Sequence, residues 1–188
     1  MSGTSLNLTN NFLIAMPNMD DPTFIQSVTY ICEHTDAGAL GIVINRPTTI
    51  KLSEVLEQMQ IKVSNLNVAE TPILYGGPIH QERGFVIHPP FGEWRSSFAT
   101  SDEVIVTTSR DILESIATTQ APEKLLIALG FAGWEAGQLE AELVKNTWLT
   151  CPANTHVLFD IPFTERWRAA ASLIGVDFNA LSGESGHA

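Results

Sequence analysis

The chain has 188 residues, with 10 Lys plus Arg set against 21 Asp plus Glu for a formal charge of −11. A chain of this length buries roughly 70% of its unfolded surface without help from metal or disulfide. Its charge repels phosphate backbones and anionic lipid at long range, which counts against direct nucleic-acid binding. The first residues, MSGTSLNLTNNFLIAM, place no Lys or Arg before a short apolar run, and no window reaches 18 uninterrupted apolar residues. The expectation is a cytoplasmic protein with no signal peptide and no membrane span. One domain over 1–188 is expected, with 1–10 and 182–188 flexible. Cys32 and Cys151 form no CxxC motif and sit in strand-like surroundings, so buried reduced thiols are expected.

Taken in order, Phe12 to Met16 reads as a first strand, and Asp20, Asp21 and Pro22 as the cap of a short helix through Ser27. Val28, Tyr30 and Cys32 alternate with polar neighbours, and Ala39 to Ile44 is nearly all apolar, which predicts a hairpin turning at Asp36 to Gly38. Pro47 cannot donate to a ladder, so the second strand should end with Asn45 and Arg46 at its tip. Leu52, Val55, Leu56 and Met59 mark one side of a helix, with Ser53 to Gln60 its secure part. Residues 61–71 are polar and irregular. Pro72 to Tyr75 is extended and runs into Gly76-Gly77-Pro78, and Gly84 to His88 is a strand stopped by Pro89-Pro90.

Ser97 to Ala99 reads as a short edge strand and Val104 to Thr107 as a clearer one. Thr108 and Asp111 form a capping-box-like start for a helix carrying Ile112, Leu113, Ile116 and Ala117. Leu125 to Leu129 is an apolar strand leading to a glycine loop, Gly130 to Gly133, and then to a helix marked by Leu139, Leu143 and Val144. Trp148 to Cys151 and His156 to Phe159 read as late strands, and Phe163 to Ile174 as a last helix that Gly175 ends.

GALGIVINRP, YGGPI, GFVIH, LGFAGWEAGQLEAEL and NTWL, in this order, resemble the AlgH/YqgE family of bacterial proteins from about Asn11 to Ala188. The resemblance implies an α+β fold, a bifurcated mixed sheet rolled into a pseudo-barrel with helices outside. It also implies a role in transcriptional regulation, which the charge argues is indirect. It implies no catalytic residue and no cofactor.

Candidate ligand-binding residues are those at strand tips and glycine turns, where backbone can approach a ligand. They are Asn45, Arg46, Gly76, Gly77, His88, Gly133, Trp134, Gln138 and Glu142. If three strand ends meet, Asn45 and Arg46 stand beside Gly76-Gly77-Pro78 and the Gly130 to Trp134 loop and form one mouth. Each residue also has a structural reading. The glycines can serve tight turns or close packing. Arg46 can bond turn carbonyls or a structural Glu in place of a ligand carboxylate. His88 can be a hydrogen-bonded structural residue, Trp134 and Trp148 core anchors, and Gln138 with Glu142 a solvated face.

No GxSxG, HExxH or phosphate-loop pattern occurs. Cys32, His34, Cys151 and His156 would make a zinc set only by tertiary accident, so no metal is assigned. The favoured function is a binding or regulatory protein acting through a small ligand or a protein partner. The alternatives are an enzyme using Asn45, Arg46, His88 and Glu142, and a DNA-binding regulator lacking the basic helix such a role needs. Oligomeric state is left open.

Overall fold

The computed structural model describes residues 6–118 and 120–180. The strands among the described residues are β1 Asn11–Ala15, β2 Val28–Thr35, β3 Gly38–Val43, β4 Pro47–Lys51, β5 Pro72–Tyr75, β6 Ile79–His88, β7 Ser97–Ala99, β8 Ile105–Thr107, β9 Leu126–Glu135 and β10 Trp148–Pro152. They form one strongly curled sheet, a half-barrel, eight of them in the order β10-β1-β2-β3-β9-β6-β8-β7 and β4 and β5 on a branch. The sheet forks at β9. Ala132–Glu135 pair antiparallel with β3, while Ala128 and Leu129 pair parallel with β5, which in turn carries β4. The expected α+β fold with a bifurcated mixed sheet is therefore observed.

The inner face of the curl holds Phe12, Tyr30, Ile42, Phe85 and Val106. Its open side is plugged by α5 (Thr155–Phe159) and α6 (Arg166–Ser172). Two hydrogen bonds seat the plug. Trp167 Nε1 donates to Ala15 O at 2.9 Å, and buried Arg166 donates through Nη1 to Ile44 O at 2.6 Å. Loss of hydration brings the Arg166 guanidinium down to about 10, and the ring of Phe163 lies 4.4 Å beneath it. The outer face carries two further cores. Under α1 (Leu52–Gln58), α2 (Leu66–Ala69) and α3 (Arg110–Thr118) lie Ile73, Val86 and Ile127. Under α4 (Gln138–Val144) lie Leu13, Ile31, Ala132, Trp134 and Trp148.

Several expectations need correction. Asp20 to Ser27 makes a single turn, not a helix, because Gln26 takes φ 54 and cannot continue it. The strand before Pro47 does end, at Val43 with Asn45 and Arg46 beyond its tip, but Pro47 then opens a new one, β4, an exposed edge strand where a missing N–H costs nothing. The segment 130–133 is no loop but the middle of β9. Residues 155–159 are the helix α5, not a strand, because Asn154 Oδ1 caps Val157 N at 3.1 Å and Val157 and Leu158 are both buried. Asp111 does not cap with Thr108. Its carboxylate takes Ser109 Oγ at 2.5 Å and Arg95 N at 2.8 Å, tying the α3 start to the preceding loop.

Of the ends expected to be flexible, 1–5 and 182–188 lie outside the described residues. Leu8 to Asn10 are fastened to β2. Leu8 N donates to His34 Nδ1 at 2.9 Å and Asn10 N to Ile31 O at 2.8 Å. No helix among the described residues is long and apolar enough to cross a membrane.

Candidate functional site

β3 ends at Val43, and the next residues hold a neighbouring loop in place. Asn45 Oδ1 accepts from Val28 N at 3.0 Å while its Nδ2 donates to Gln26 O at 2.9 Å. Arg46 spans the turn after Asp21, donating through Nη1 to Pro22 O at 3.1 Å and through Nη2 to Ile25 O at 2.6 Å. Partial burial lowers the guanidinium pKa by removing hydration. The carbonyl-bonding role weighed for Arg46 is thus the one its geometry displays, and the clamp it makes closes on this chain's own backbone.

Both residues do stand beside the Gly76 turn. Tyr75 N donates to Arg46 O at 2.8 Å, and Val43 N donates to Gly76 O at 2.8 Å. The turn then packs directly on β9, with Gly76 N donating to Leu129 O at 2.9 Å. A Cβ on Gly76 would collide with Gly130 O, and one on Gly77 with the Phe131 carbonyl. These glycines serve close backbone packing, and the expected mouth between them is filled by main chain.

Three other candidates do converge. Glu142 Oε1 accepts from Trp134 Nε1 at 3.3 Å and Trp148 Nε1 at 3.1 Å, and its Oε2 accepts from Gln138 Nε2 at 3.2 Å. Gln138 Oε1 in turn accepts from Glu135 N at 3.0 Å. Phe24 lies over the pair, with ring centroids 6.4 Å from Trp134 and 5.4 Å from Trp148. Arg46 therefore reaches this cluster indirectly, by fixing the loop that carries Phe24. Gly133 lies one residue away in β9, packed under Ile79. Beside the cluster, buried His34 donates from Nε2 to Glu140, since its Nδ1 is already accepting from Leu8 N. The Glu140 carboxylate is held below its ordinary pKa by a backbone N–H and by His34.

His88 stands apart. It pairs into β8 beside the Leu126 end of β9, while Trp134 is near the other end of this 10-residue strand. The ring is fully buried. Nδ1 lies 2.6 Å from Pro89 O and Nε2 2.8 Å from Thr107 Oγ1. A carbonyl only accepts, so the proton sits on Nδ1 and Thr107 donates to Nε2. Burial holds the pKa below the ordinary histidine value.

The four thiol and imidazole groups weighed as a zinc set have separate partners. Cys32 Sγ lies against Tyr30 O, Cys151 Sγ against Ala170 O, and His156 against Asp160. No metal-binding group of three or more such side chains is found among the described residues.

A cleft of about 460 Å³ opens where none of the nine candidates lies, between the C-terminal half of α1 and the N-terminal half of α3. α2 packs against both helices, and just before it Ser64 N and Asn65 N both donate to Ala117 O at the C-terminal end of α3. Sheet residues Ile73, Val86, Ile127 and Leu129 form the floor, with Val55, Met59 and Leu113 as apolar walls. Its polar rim is Gln58, Gln81, Glu82 and Thr108 to Arg110. The sequence signal was there in part. Val55, Met59 and Leu113 lie on the apolar stripes of their helices, but nothing in a stripe says that two helices will stand apart.

Comparisons with known proteins agree on the ancestry. A family model described as AlgH-like matches residues 12–179. A UPF0301 protein of Thioalkalivibrio sulfidiphilus is 55% identical over 184 residues, covering 98% of each chain. Another, of Nitrosococcus oceani, is 54% identical over 179 residues, covering 95% of this chain and 96% of that one. The solution structure of the AlgH protein from Pseudomonas aeruginosa is 48% identical, covers 100% of both chains and superposes with a TM-score of 0.80. The crystal structure of a Corynebacterium diphtheriae protein shares the fold alone, at 18% identity and a TM-score of 0.71 over 92% of this chain and 90% of that one.

Proposed function

The chain belongs to the AlgH-like family, and we propose that it works as a binding protein, taking a small and mainly apolar molecule into the cleft between α1 and α3. The observation that carries this reading is the cleft itself. At about 460 Å³, it falls within the size range of small-molecule sites, and it has the apolar floor and sparse polar rim that such sites use. The enzyme alternative draws less support. Its four residues are spread from one end of β9 to the other, and each donates to or accepts from the protein's own groups.

A regulatory effect would pass through the bound molecule or through a protein partner. The formal charge of −11 supports an indirect route, as do α1 without a base and α3 with Arg110 alone. The test is a screen of small neutral compounds by methyl NMR, with wild type beside Leu113→Trp, whose indole would fill the cleft from its half-buried wall. The expected result is shifts confined to Ile73, Leu113, Ile127 and Leu129 that vanish in the folded variant. Shifts centred on the Trp134 cluster, or none from any compound, would sink the proposal.

A further inference from the structure

We infer that the ligand of the α1/α3 cleft is uncharged, an apolar body ending in one amide, hydroxyl or carbonyl group. This rests on the binding reading of the same cleft and follows from how its rim spends its polar groups. The rim's single cation, Arg110, already donates through Nε to Glu114 at 2.8 Å. Glu82 is hydrogen-bonded to His80 at 3.2 Å, and its side chain is 78% exposed, so what field it has is screened by solvent. Thr107 donates to His88 at 2.8 Å, and Ser109 Oγ is taken up by Asp111 at 2.5 Å. What is left are the Gln58 and Gln81 amides and the Thr108 hydroxyl, whose side chains show no hydrogen bond to another described residue. All three are neutral, and each can both donate and accept.

The energetics then discriminate between ligands. A carboxylate or ammonium entering the cleft gives up hydration and meets only Arg110 and Glu82, both solvent-screened at the rim and already hydrogen-bonded, with no charged side chain on the apolar floor. The overall charge of −11 adds a long-range penalty for an anion. A neutral polar end loses less hydration and regains hydrogen bonds from the glutamines and Thr108. The apolar floor supplies the rest through burial of the ligand body.

The test uses three ligands of one shape, 4-phenylbutanamide, 4-phenylbutyrate and 4-phenylbutylamine, titrated at neutral pH while the methyls of Ile73, Leu113, Ile127 and Leu129 are followed. The amide should bind about ten-fold tighter than either charged counterpart. Thr108→Val, nearly the same shape without the hydroxyl, should narrow that margin while the shifts stay on the same methyls. Should the carboxylate or the amine match the amide, the neutral-ligand inference is overturned while the cleft remains a binding site. Should none of the three move those methyls, the binding reading fails and takes this inference with it.

Discussion

Trp134 and Trp148 come from β9 and β10, strands that never pair, yet they meet edge to face with ring centroids 6.3 Å apart and donate to the same oxygen of Glu142. One carboxylate thereby fixes two buried indoles and, through them, the seat of Phe24. Removing it strands two N–H groups that are nearly out of reach of water, at about 1 to 3 kcal/mol each. Glu142→Ala should therefore lower stability by about 2 to 4 kcal/mol in urea unfolding, and the tryptophan emission should change in the native state. Glu142→Gln keeps an acceptor oxygen and should cost less than half as much. Equal losses in the two variants would show that charge, not acceptance, matters at this position.

Arg46 acts on the same cluster from the other side. Its two bonds to Pro22 O and Ile25 O hold the loop that lays Phe24 on the tryptophans. Arg46→Ala should cost about 1 to 3 kcal/mol and expose the peptide bonds near Ile25, already exposed at the surface, to limited proteolysis. Arg46→Lys should recover only part of this, because an ammonium on a flexible stem cannot span both carbonyls as a planar fork does. Unchanged stability and unchanged cleavage in Arg46→Ala would remove the loop-fixing role.

Much of the fold was legible because alternation and punctuation are local properties. Tyr30 to Ile44 announced its hairpin, and the two-residue turn at Asp36–Ala37 falls where the glycine and aspartate suggested. The errors lie where tertiary contact decides. Gly130 looks like a loop residue in one dimension but is a kink inside a central strand. Pro47 marks the end of the strand before it, but that it also opens an edge strand, β4, depends on pairing with β5. For the candidate site, the i, i+4 spacing of Gln138 and Glu142 puts them on one helical face, but their meeting with Trp134 depends on the fold. The cleft was hidden for a different reason. A helix stripe reports which side is apolar, not whether its neighbour fills the gap.

His88 should make the protein less stable in mild acid. Its folded pKa is depressed by burial, so below about 6.5 the unfolded chain takes a proton that the folded chain refuses. Stability from this group is therefore full at high pH and falls from about pH 6.5 downward, until the folded pKa is passed. Above about pH 5 the carboxylates stay ionised, which separates their titration from this one. Urea midpoints between about pH 7.5 and 5.5 should fall in wild type and fall less in His88→Gln. The ring protons of His88 should titrate below the ordinary histidine value, and a midpoint at or above it would refute the assignment.

Both thiols should react slowly in the native protein. Burial pushes Cys32 far above the normal thiol range and Cys151 up to about 11, and neither side chain reaches solvent. Thiolate is scarce and access is closed, so labelling near pH 8 should wait on opening of the inner core. The rate should rise steeply with urea, in step with unfolding. Fast stoichiometric labelling without denaturant would contradict the packing described for the inner face.

Gly130 sets the two faces of the central strand. Before it, Leu126 and Ala128 point to the inner core and Ile127 to the outer one; after it, Phe131 points inward and Ala132 and Trp134 outward. The side-chain period of a strand is two, so this change of parity requires a break in the regular extended backbone. Gly130 supplies it at φ 82, opposite the irregular stretch of β6 between Ile79 and Gly84, and a Cβ there would also strike Gly77 O. Gly130→Ala thus meets two penalties at once, a left-handed backbone and a backbone collision that no rotamer relieves. The expected loss is about 3 kcal/mol or more, seen as a large fall in the urea midpoint or as failure to accumulate folded protein. Gly84→Ala is the control. Its Cβ would lie in ordinary contact with Leu129 Cδ2 at 3.9 Å, and it should cost far less. If both substitutions were tolerated alike, Gly130 would not be the kink that divides the inner core from the two outer ones.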